Sequence, residues 1–183
     1  MLYVPRLVIV AGTGRKTGKT TIACKIIKAF SHSNITAIKI SSHLHDPQDH
    51  LVSIYRSNGY LIWEEKSSES GKDSSEFLKA GATRSFYIQA LKENSADAFM
   101  KLVELLPYSS PIVCESPSLA TSVMPGALII VSGSGDDADT NKNLSVLKER
   151  KAFRLTTAEL DAGAAIPLVL DENGFRIGKD TSY

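Results

Sequence analysis

The sequence predicts an α/β fold of three layers, in which helices flank a mostly parallel β-sheet. Short apolar runs such as residues 7–11 and 127–132 are typical of strands buried on both faces. Segments with apolar residues at helical spacing lie between such runs. The Asn58-Gly59 pair between two β-rich runs predicts an inserted β-hairpin near residues 51–65. The 183 residues, 43% of them hydrophobic, can form one core, so we expect a single domain over residues 1–183.

Charge and composition limit the classes of function. The chain has 21 Lys and Arg residues and 20 Asp and Glu residues, and this balance lacks the basic field of a nucleic-acid-binding protein. No apolar run approaches the ~20 residues that span a membrane, and no leader-like segment opens the chain. Cys24 and Cys114 do not make a disulfide framework and indicate a reducing compartment. We therefore expect a soluble cytoplasmic protein with neither nucleic-acid nor membrane partners.

The first strand and the segment after it carry the most informative pattern. Residues 7–11 form the strand, residues 12–18 a glycine-rich loop, and residues 19–30 a helix with an apolar face. A phosphate-binding loop requires this order of strand, loop and helix, so the fold is expected to be of P-loop NTPase type. The alternative is a tight structural turn between a strand and a helix.

Three residues of this loop have specific expected roles. Gly18 lets backbone N–H groups close around phosphate oxygens, Lys19 reaches the β and γ phosphates, and the Thr20 hydroxyl ligates Mg²⁺. Thr13 stands where the G-x-x-x-x-G-K-T motif has its first glycine, and the resulting GTxxxxGKT pattern resembles the loop of dethiobiotin synthetases. We assign the following residues to the same nucleotide site: Gly12, Thr13, Gly14, Arg15, Lys16 and Thr17.

The second strand leads into a loop rich in histidine and carboxylate side chains. We expect this strand, residues 34–40, to lie beside the first in a right-handed βαβ unit. Asp46 follows it and is a candidate for holding a Mg²⁺-bound water. The histidines of the loop, His43 among them, suggest a metal site, but they fit no recognised metal-ligand spacing. The alternative is a solvated polar loop.

A hairpin and a polar segment come next. Residues 51–56 and 60–65 are predicted antiparallel strands that extend the sheet or cap its edge. Asp73 or Ser74 is expected to cap a short helix that ends at Gly81. The polar residues before this helix are either a flexible loop or a segment that becomes ordered when nucleotide binds.

A short strand that ends in an acid supplies a further candidate. After a strand at residues 83–90 and an amphipathic helix at residues 96–106, residues 111–115 form a buried strand ending in Glu115. In P-loop proteins an acid at the carboxyl end of a strand polarises Mg²⁺ or its attacking water. Glu115 is therefore a catalytic and metal-binding candidate, with a capping or loop acid as the alternative.

The C-terminal part predicts fewer elements. Residues 127–132 are the last clear core strand, and residues 133–143 are a polar loop. Residues 156–159 fit a capping box that starts a short helix, and residues 166–170 and 175–177 predict a closing hairpin.

Several of these segments together resemble a known family. The segments are GKTT at 18–21, AIKISSHLHD at 37–46, GKDSSEFLKAGA at 71–82 and IVCE at 112–115 followed by ALIIVSG. In order and spacing they are similar to the molybdopterin-guanine-dinucleotide biosynthesis protein B family, MobB. The resemblance spans roughly the first three quarters of the chain, and GKDSSEFLKAGA is its most specific part.

The resemblance implies a GTP-binding P-loop protein, usually a homodimer, that assists a nucleotidyltransferase partner in attaching guanosine monophosphate to the molybdenum cofactor. It implies that Asp73 belongs to a nucleotide-responsive loop and that Glu115 is a Walker-B-like acid. It also implies that Lys39 and His43 lie near the nucleotide. The residues that it assigns to phosphate and Mg²⁺ are Gly18, Lys19, Thr20 and Thr21.

The residues and the resemblance together predict binding of GTP or ATP with Mg²⁺ and slow hydrolysis. Lys19, Asp73 and Glu115 are the catalytic candidates, and Thr20, Asp46 and Glu115 are the metal-binding candidates. One alternative function is an ATP-dependent ligase or kinase of dethiobiotin-synthetase type. The other is a non-enzymatic adaptor that binds nucleotide and contacts a partner.

Overall fold

The residues that the structure describes form an α/β architecture with an eight-stranded sheet and a separate two-stranded hairpin. The computed structural model describes residues 1–14, 16–42, 49–133 and 144–178. The sheet is mostly parallel and has helices on both faces, which confirms the predicted α/β layers and is compatible with a P-loop-like fold. Within the described ranges, every helix is too short or too polar to cross a membrane.

The elements are numbered in chain order. The strands are β1 (Leu2–Gly12), β2 (Thr36–Ser41), β3 (Leu51–Ser57), β4 (Tyr60–Glu65), β5 (Arg84–Ala90), β6 (Ile112–Glu115), β7 (Val123–Ser132), β8 (Phe153–Thr156), β9 (Leu168–Asp171) and β10 (Gly174–Ile177). The helices are α1 (Lys19–Ala29), α2 (Asp73–Lys79), α3 (Ser95–Val103), α4 (Leu144–Lys148) and α5 (Thr157–Asp161).

The strand order of the sheet is β3-β4-β5-β2-β6-β1-β7-β8. The expectation that β2 lies beside β1 is wrong, because β6 lies between them and pairs in parallel with both. Apolar runs identify buried strands, but they do not specify which strands become neighbours. The insertion places Glu115 at the centre of the sheet, with Val10 of β1 on one side and Lys39 of β2 on the other.

Two apolar cores cover the two faces of the sheet. Successive residues of a strand point to opposite faces, so Ile9 packs in the core that contains Phe99 of α3. Val10 packs in the other core, with Ile27 of α1 and Phe77 of α2. Since α1 and α2 share this second face, their N-termini can meet side chains of the central strands.

The predicted hairpins and the predicted glycine after α2 are present. Gly59 has a φ of 102° in the turn between β3 and β4, and β4 pairs with β5, so this hairpin extends the sheet. Gly81, with a φ of 103°, follows α2 as predicted. The sequence did not predict α4 or β8. The strand β8 has four residues at the sheet edge, of which Leu155 is the buried one, so it lacks the apolar run of a central strand.

Candidate functional site

The loop between β1 and α1 folds back closely onto the end of β1. Gly18, the N-cap residue of α1, has a φ of 87°, in the left-handed region that favours glycine. A Cβ atom on Gly12 would lie 2.5 Å from Thr17 Oγ1 and 2.8 Å from the Lys19 side chain. The two glycines therefore allow the loop and the Lys19 side chain to approach the strand end.

The N-terminus of α1 faces this loop without a cap. Within the part of the chain that the structure describes, no side chain caps the helix, and its first turn contains no acidic residue. The first N–H groups of a helix lack acceptors within the helix, and the helix dipole makes this end positive. The end of α1 therefore has the backbone geometry and the charge that favour a phosphate group.

Lys19 is the first residue of α1 and folds over the loop. Its Nζ donates to the Gly14 carbonyl oxygen at 2.5 Å and to Thr17 Oγ1 at 3.2 Å. Burial lowers the pKa of the Lys19 ammonium, with the Lys39 ammonium adding to this effect and Glu115 opposing it. Because its acceptors are neutral, Lys19 would gain a stronger partner if an anion entered the loop.

Four side chains from four elements form a group that we call the ion cluster. They are Thr20 of α1, Lys39 of β2, Asp73 of α2 and Glu115 of β6. Lys39 Nζ lies 2.6 Å from Asp73 Oδ2 and 2.5 Å from Glu115 Oε1. Thr20 Oγ1 lies 3.0 Å from Asp73 Oδ1 and 2.9 Å from Glu115 Oε2. The cluster therefore joins the first turn of α1 to the carboxyl end of β6.

The opposite charges of Lys39 and Asp73 in the ion cluster favour each other's ionised forms. Burial opposes ionisation of Asp73, but the charge of Lys39 and hydrogen bonds from Lys39 and Thr20 hold the pKa of Asp73 below its ordinary value. Burial likewise opposes the charge on Lys39, but Glu115 and Asp73 outweigh it and raise the pKa of Lys39. The Asp73–Lys39 pair is therefore ionised at neutral pH.

The donor set of the ion cluster fits Mg²⁺. The Thr20 hydroxyl has a single hydrogen but contacts two carboxyl oxygens, so it can donate to only one of them at a time. A hard divalent cation would remove this conflict, because the hydroxyl and the carboxylates all bind it through lone pairs. Mg²⁺ sites commonly combine one or two carboxylates with phosphate oxygens and water, and Asp73 and Glu115 supply the carboxylates.

The structure brings five of the predicted site residues together. These are Lys19, Thr20, Lys39, Asp73 and Glu115. The other predicted residues of the loop lie around them: Gly12, Thr13, Gly14, Lys16, Thr17, Gly18 and Thr21. Arg15, His43 and Asp46 lie outside the described residues.

The prediction that Asp73 or Ser74 caps α2 is wrong. The N-cap residue is Lys72, and the Ser75 hydroxyl accepts a hydrogen bond from the Lys72 N–H at 3.1 Å. Asp73 is thereby free of a capping role, and its carboxylate contacts Lys39 and Thr20 instead.

Sequence reasoning missed the support that α5 gives to the loop. The Thr157 hydroxyl contacts the carbonyl oxygens of Thr17 at 3.3 Å and Ser132 at 3.2 Å. Leu160 Cδ2 lies 2.7 Å from the position that a Cβ on Gly18 would take. The capping-box pattern predicted the helix, but nothing in the sequence linked it to a loop 140 residues earlier.

A second buried carboxylate, Glu65, lies at the end of β4. Its Oε1 accepts from the Ser67 N–H at 2.9 Å. Its Oε2 accepts from the hydroxyls of Ser74 at 3.0 Å and Ser70 at 3.3 Å, and lies 3.5 Å from His50 Nε2. Glu65 therefore ties the polar segment before α2 to the sheet.

Comparisons of the chain with protein-family models, with curated proteins and with solved structures find no match.

Proposed function

We propose that this protein binds a nucleoside triphosphate together with Mg²⁺ and hydrolyses it slowly. The observation that carries the proposal is the position of Thr20. It lies in the first turn of α1, next to Lys19, and its hydroxyl contacts both Asp73 and Glu115. A helix end suited to anions and a pair of carboxylates suited to a divalent cation thus meet at the first turn of α1. A triphosphate with its bound metal is a ligand that needs both.

The loop and the helix would hold the phosphates. Backbone N–H groups at the start of α1 would donate to phosphate oxygens, and Lys19 would exchange the Gly14 carbonyl for a phosphate oxygen. Thr20, Asp73 and Glu115 would hold the metal directly or through water. When bound, Mg²⁺ supplies positive charge against the phosphate oxygens.

The paired state of the carboxylates supports slow hydrolysis. A general base works best when its pKa lies near the operating pH. Asp73 has a lowered pKa and is therefore a weak base, and both oxygens of Glu115 already contact Lys39 and Thr20. We therefore propose that rapid turnover requires a partner or an acceptor that rearranges the ion cluster.

The choice of nucleotide and the biological role rest on the sequence resemblance. It favours GTP over ATP, a homodimer, and assistance to a nucleotidyltransferase that attaches guanosine monophosphate to the molybdenum cofactor. The dethiobiotin-synthetase-like loop pattern keeps a ligase or kinase as the second candidate function. In that case an acceptor carboxylate or hydroxyl would attack the γ phosphate.

Titration calorimetry of GTP and ATP, each with and without Mg²⁺, tests the proposal. We expect Mg²⁺-dependent binding that Lys19→Ala abolishes and that Lys28→Ala, an exposed lysine at the other end of α1, leaves unchanged. Product analysis with candidate acceptors then separates slow hydrolysis from phosphoryl transfer and from binding without turnover. Undiminished binding by Lys19→Ala would refute the proposed site.

A further inference from the structure

Lys39 and Thr20 divide the four carboxylate oxygens of the ion cluster between them. Lys39 Nζ contacts Asp73 Oδ2 and Glu115 Oε1. The Thr20 hydroxyl contacts the two remaining oxygens, Asp73 Oδ1 and Glu115 Oε2. The four residues thus form a closed ring in which each carboxylate touches the ammonium with one oxygen and the hydroxyl with the other.

The ammonium of Lys39 is the group that allows two carboxylates to share this space. Like charges at short distance repel most strongly where water is scarce, and the side chains of Glu115, Lys39 and Asp73 are 2%, 19% and 42% exposed, so the effect is largest at Glu115. Lys39 and Glu115 face each other across neighbouring strands, so the ammonium is fixed close to Glu115 by the sheet itself. Its charge occupies the place between the carboxylates where a divalent cation would bind.

We propose that Lys39 is a tethered cation that occupies the carboxylate pair and excludes free divalent ions until a triphosphate arrives. A divalent cation and the ammonium compete for the same two carboxylates, those of Asp73 and Glu115. A triphosphate changes this competition, because its oxygens give the ammonium new acceptors when the metal displaces it. This inference rests on the proposed function. It adds an order of binding, in which the divalent cation enters the site only together with the triphosphate.

The experiment measures Mn²⁺ binding to the full chain without nucleotide, by electron paramagnetic resonance of free Mn²⁺. We expect Lys39→Met to bind one Mn²⁺ at least about tenfold more tightly than the natural chain, because the competing charge is gone. Lys39→Arg keeps the charge and should bind Mn²⁺ as weakly as the natural chain. Adding Glu115→Gln to Lys39→Met should remove the gain.

A surface lysine provides the matched control. Lys101 bonds to Glu104 at 3.0 Å on the exposed side of α3, so Lys101→Met removes the same charge far from the ion cluster. It should leave Mn²⁺ binding unchanged. Thermal unfolding gives a second measurement, since Mn²⁺ should raise the Tm of Lys39→Met more than that of the natural chain. If Lys39→Met unfolds without metal, Mn²⁺ should restore a cooperative transition.

Two results would overturn the inference. One is a Lys39→Met variant that binds Mn²⁺ no more tightly than the natural chain. The other is a Lys39→Met variant that stays unfolded in saturating Mn²⁺.

Nucleotide titration of the natural chain distinguishes a failure of the tethered-cation inference from a failure of the proposed function. Triphosphate binding that depends on Lys19, without a Mn²⁺ gain in Lys39→Met, refutes the tethered cation alone. Absence of triphosphate binding refutes the proposed function and, with it, the order of binding.

Discussion

Two buried carboxylates of the same sheet, Glu65 and Glu115, are stabilised in different ways. Both end a strand, and they are 2% and 1% exposed. Glu65 accepts hydrogen bonds from serine donors within the nine residues that follow it, and it also lies 3.5 Å from His50 Nε2. Glu115 contacts the ammonium of Lys39 and the hydroxyl of Thr20, which are 76 and 95 residues away in the sequence.

The difference indicates which carboxylate can exchange its partner. Removing one of these donors leaves a buried polar group with an unmet hydrogen bond, so the local bonds of Glu65 favour one fixed arrangement. A cation that neutralises Glu115 can be replaced by another cation without that cost. Burial alone therefore does not identify a functional acid, whereas the charge and origin of its partners do.

The largest expected effect on stability comes from breaking the Glu65 arrangement. Glu65→Ala leaves the Ser67 N–H and the hydroxyls of Ser70 and Ser74 without their acceptor, and should lower the free energy of unfolding by about 4 kcal/mol. Urea denaturation measures this loss. Triphosphate affinity per folded molecule should change little, and a large loss of affinity in the folded fraction would contradict the structural role of Glu65.

The matching change at Glu115 should act on binding. Glu115→Gln keeps the shape of the side chain but removes its charge, so the gain in triphosphate affinity from Mg²⁺ should fall by about a hundredfold, close to 3 kcal/mol. Calorimetric titration with and without Mg²⁺ measures it. The free energy of unfolding should fall less than in Glu65→Ala, and the reverse order would contradict the distinction between the two carboxylates.

Substitutions at two glycines compare the surroundings of the ion cluster with those of Glu65. Gly18, beside the ion cluster, has a φ of 87°, and a Cβ there would meet Leu160 at 2.7 Å. Gly71, beside the Glu65 partners, has a φ of 71°, and no atom of the described part of the chain lies within 4 Å of an added Cβ. Gly18→Ala should therefore cost about 2 kcal/mol and Gly71→Ala about 1 kcal/mol in unfolding free energy. Equal losses in thermal unfolding would show that the contact with α5 does not constrain the loop.

The smallest expected effect is a pH dependence of stability that belongs to the ion cluster. The folded-state pKa of Asp73 is lowered, so its contribution is present above the unfolded pKa of about 3.9 and is lost as pH falls through the lower folded value. The pKa of Lys39 is raised, so its contribution is present below about 10.4 and is lost as pH rises through the higher folded value.

Asp73→Asn tests the acid side of this dependence. It should flatten the fall in Tm below about pH 4, because the neutral side chain has no carboxyl proton to gain. Asp97→Asn removes an exposed carboxylate of α3 and serves as the control. An unchanged acid slope in Asp73→Asn would show that the pairing with Lys39 does not stabilise the fold.

The sequence predicted those parts of the fold whose signals are adjacent in the chain. The strand, glycines and helix around Gly18 form one continuous pattern, and the Asn58-Gly59 turn lies between its own two strands. Glu115 was a candidate because a buried strand ends at it. Each of these features depends on local backbone preferences or on one apolar run.

The sequence did not predict which distant residues of the site come together. The placement of β6 between β1 and β2 depends on how the whole sheet packs, and this placement brings Lys39 beside Glu115. Lys39 was named from the family resemblance, and its contact with Asp73 followed from no local pattern. The strand β8 was missed because an edge strand of four residues needs little apolar sequence.

The central position of β6 also affects how the protein is made. Synthesis proceeds from the N-terminus, so a nascent chain carries β1, α1 and β2 well before the ribosome adds Glu115. Until then neither β1 nor β2 has the strand that pairs with both of them in the finished sheet. The unfinished chain therefore has the glycine-rich loop but lacks the Glu115 carboxylate that bonds to Lys39. Translation of the residues of β6 supplies both the strand that lies between β1 and β2 and the last residue of the ion cluster.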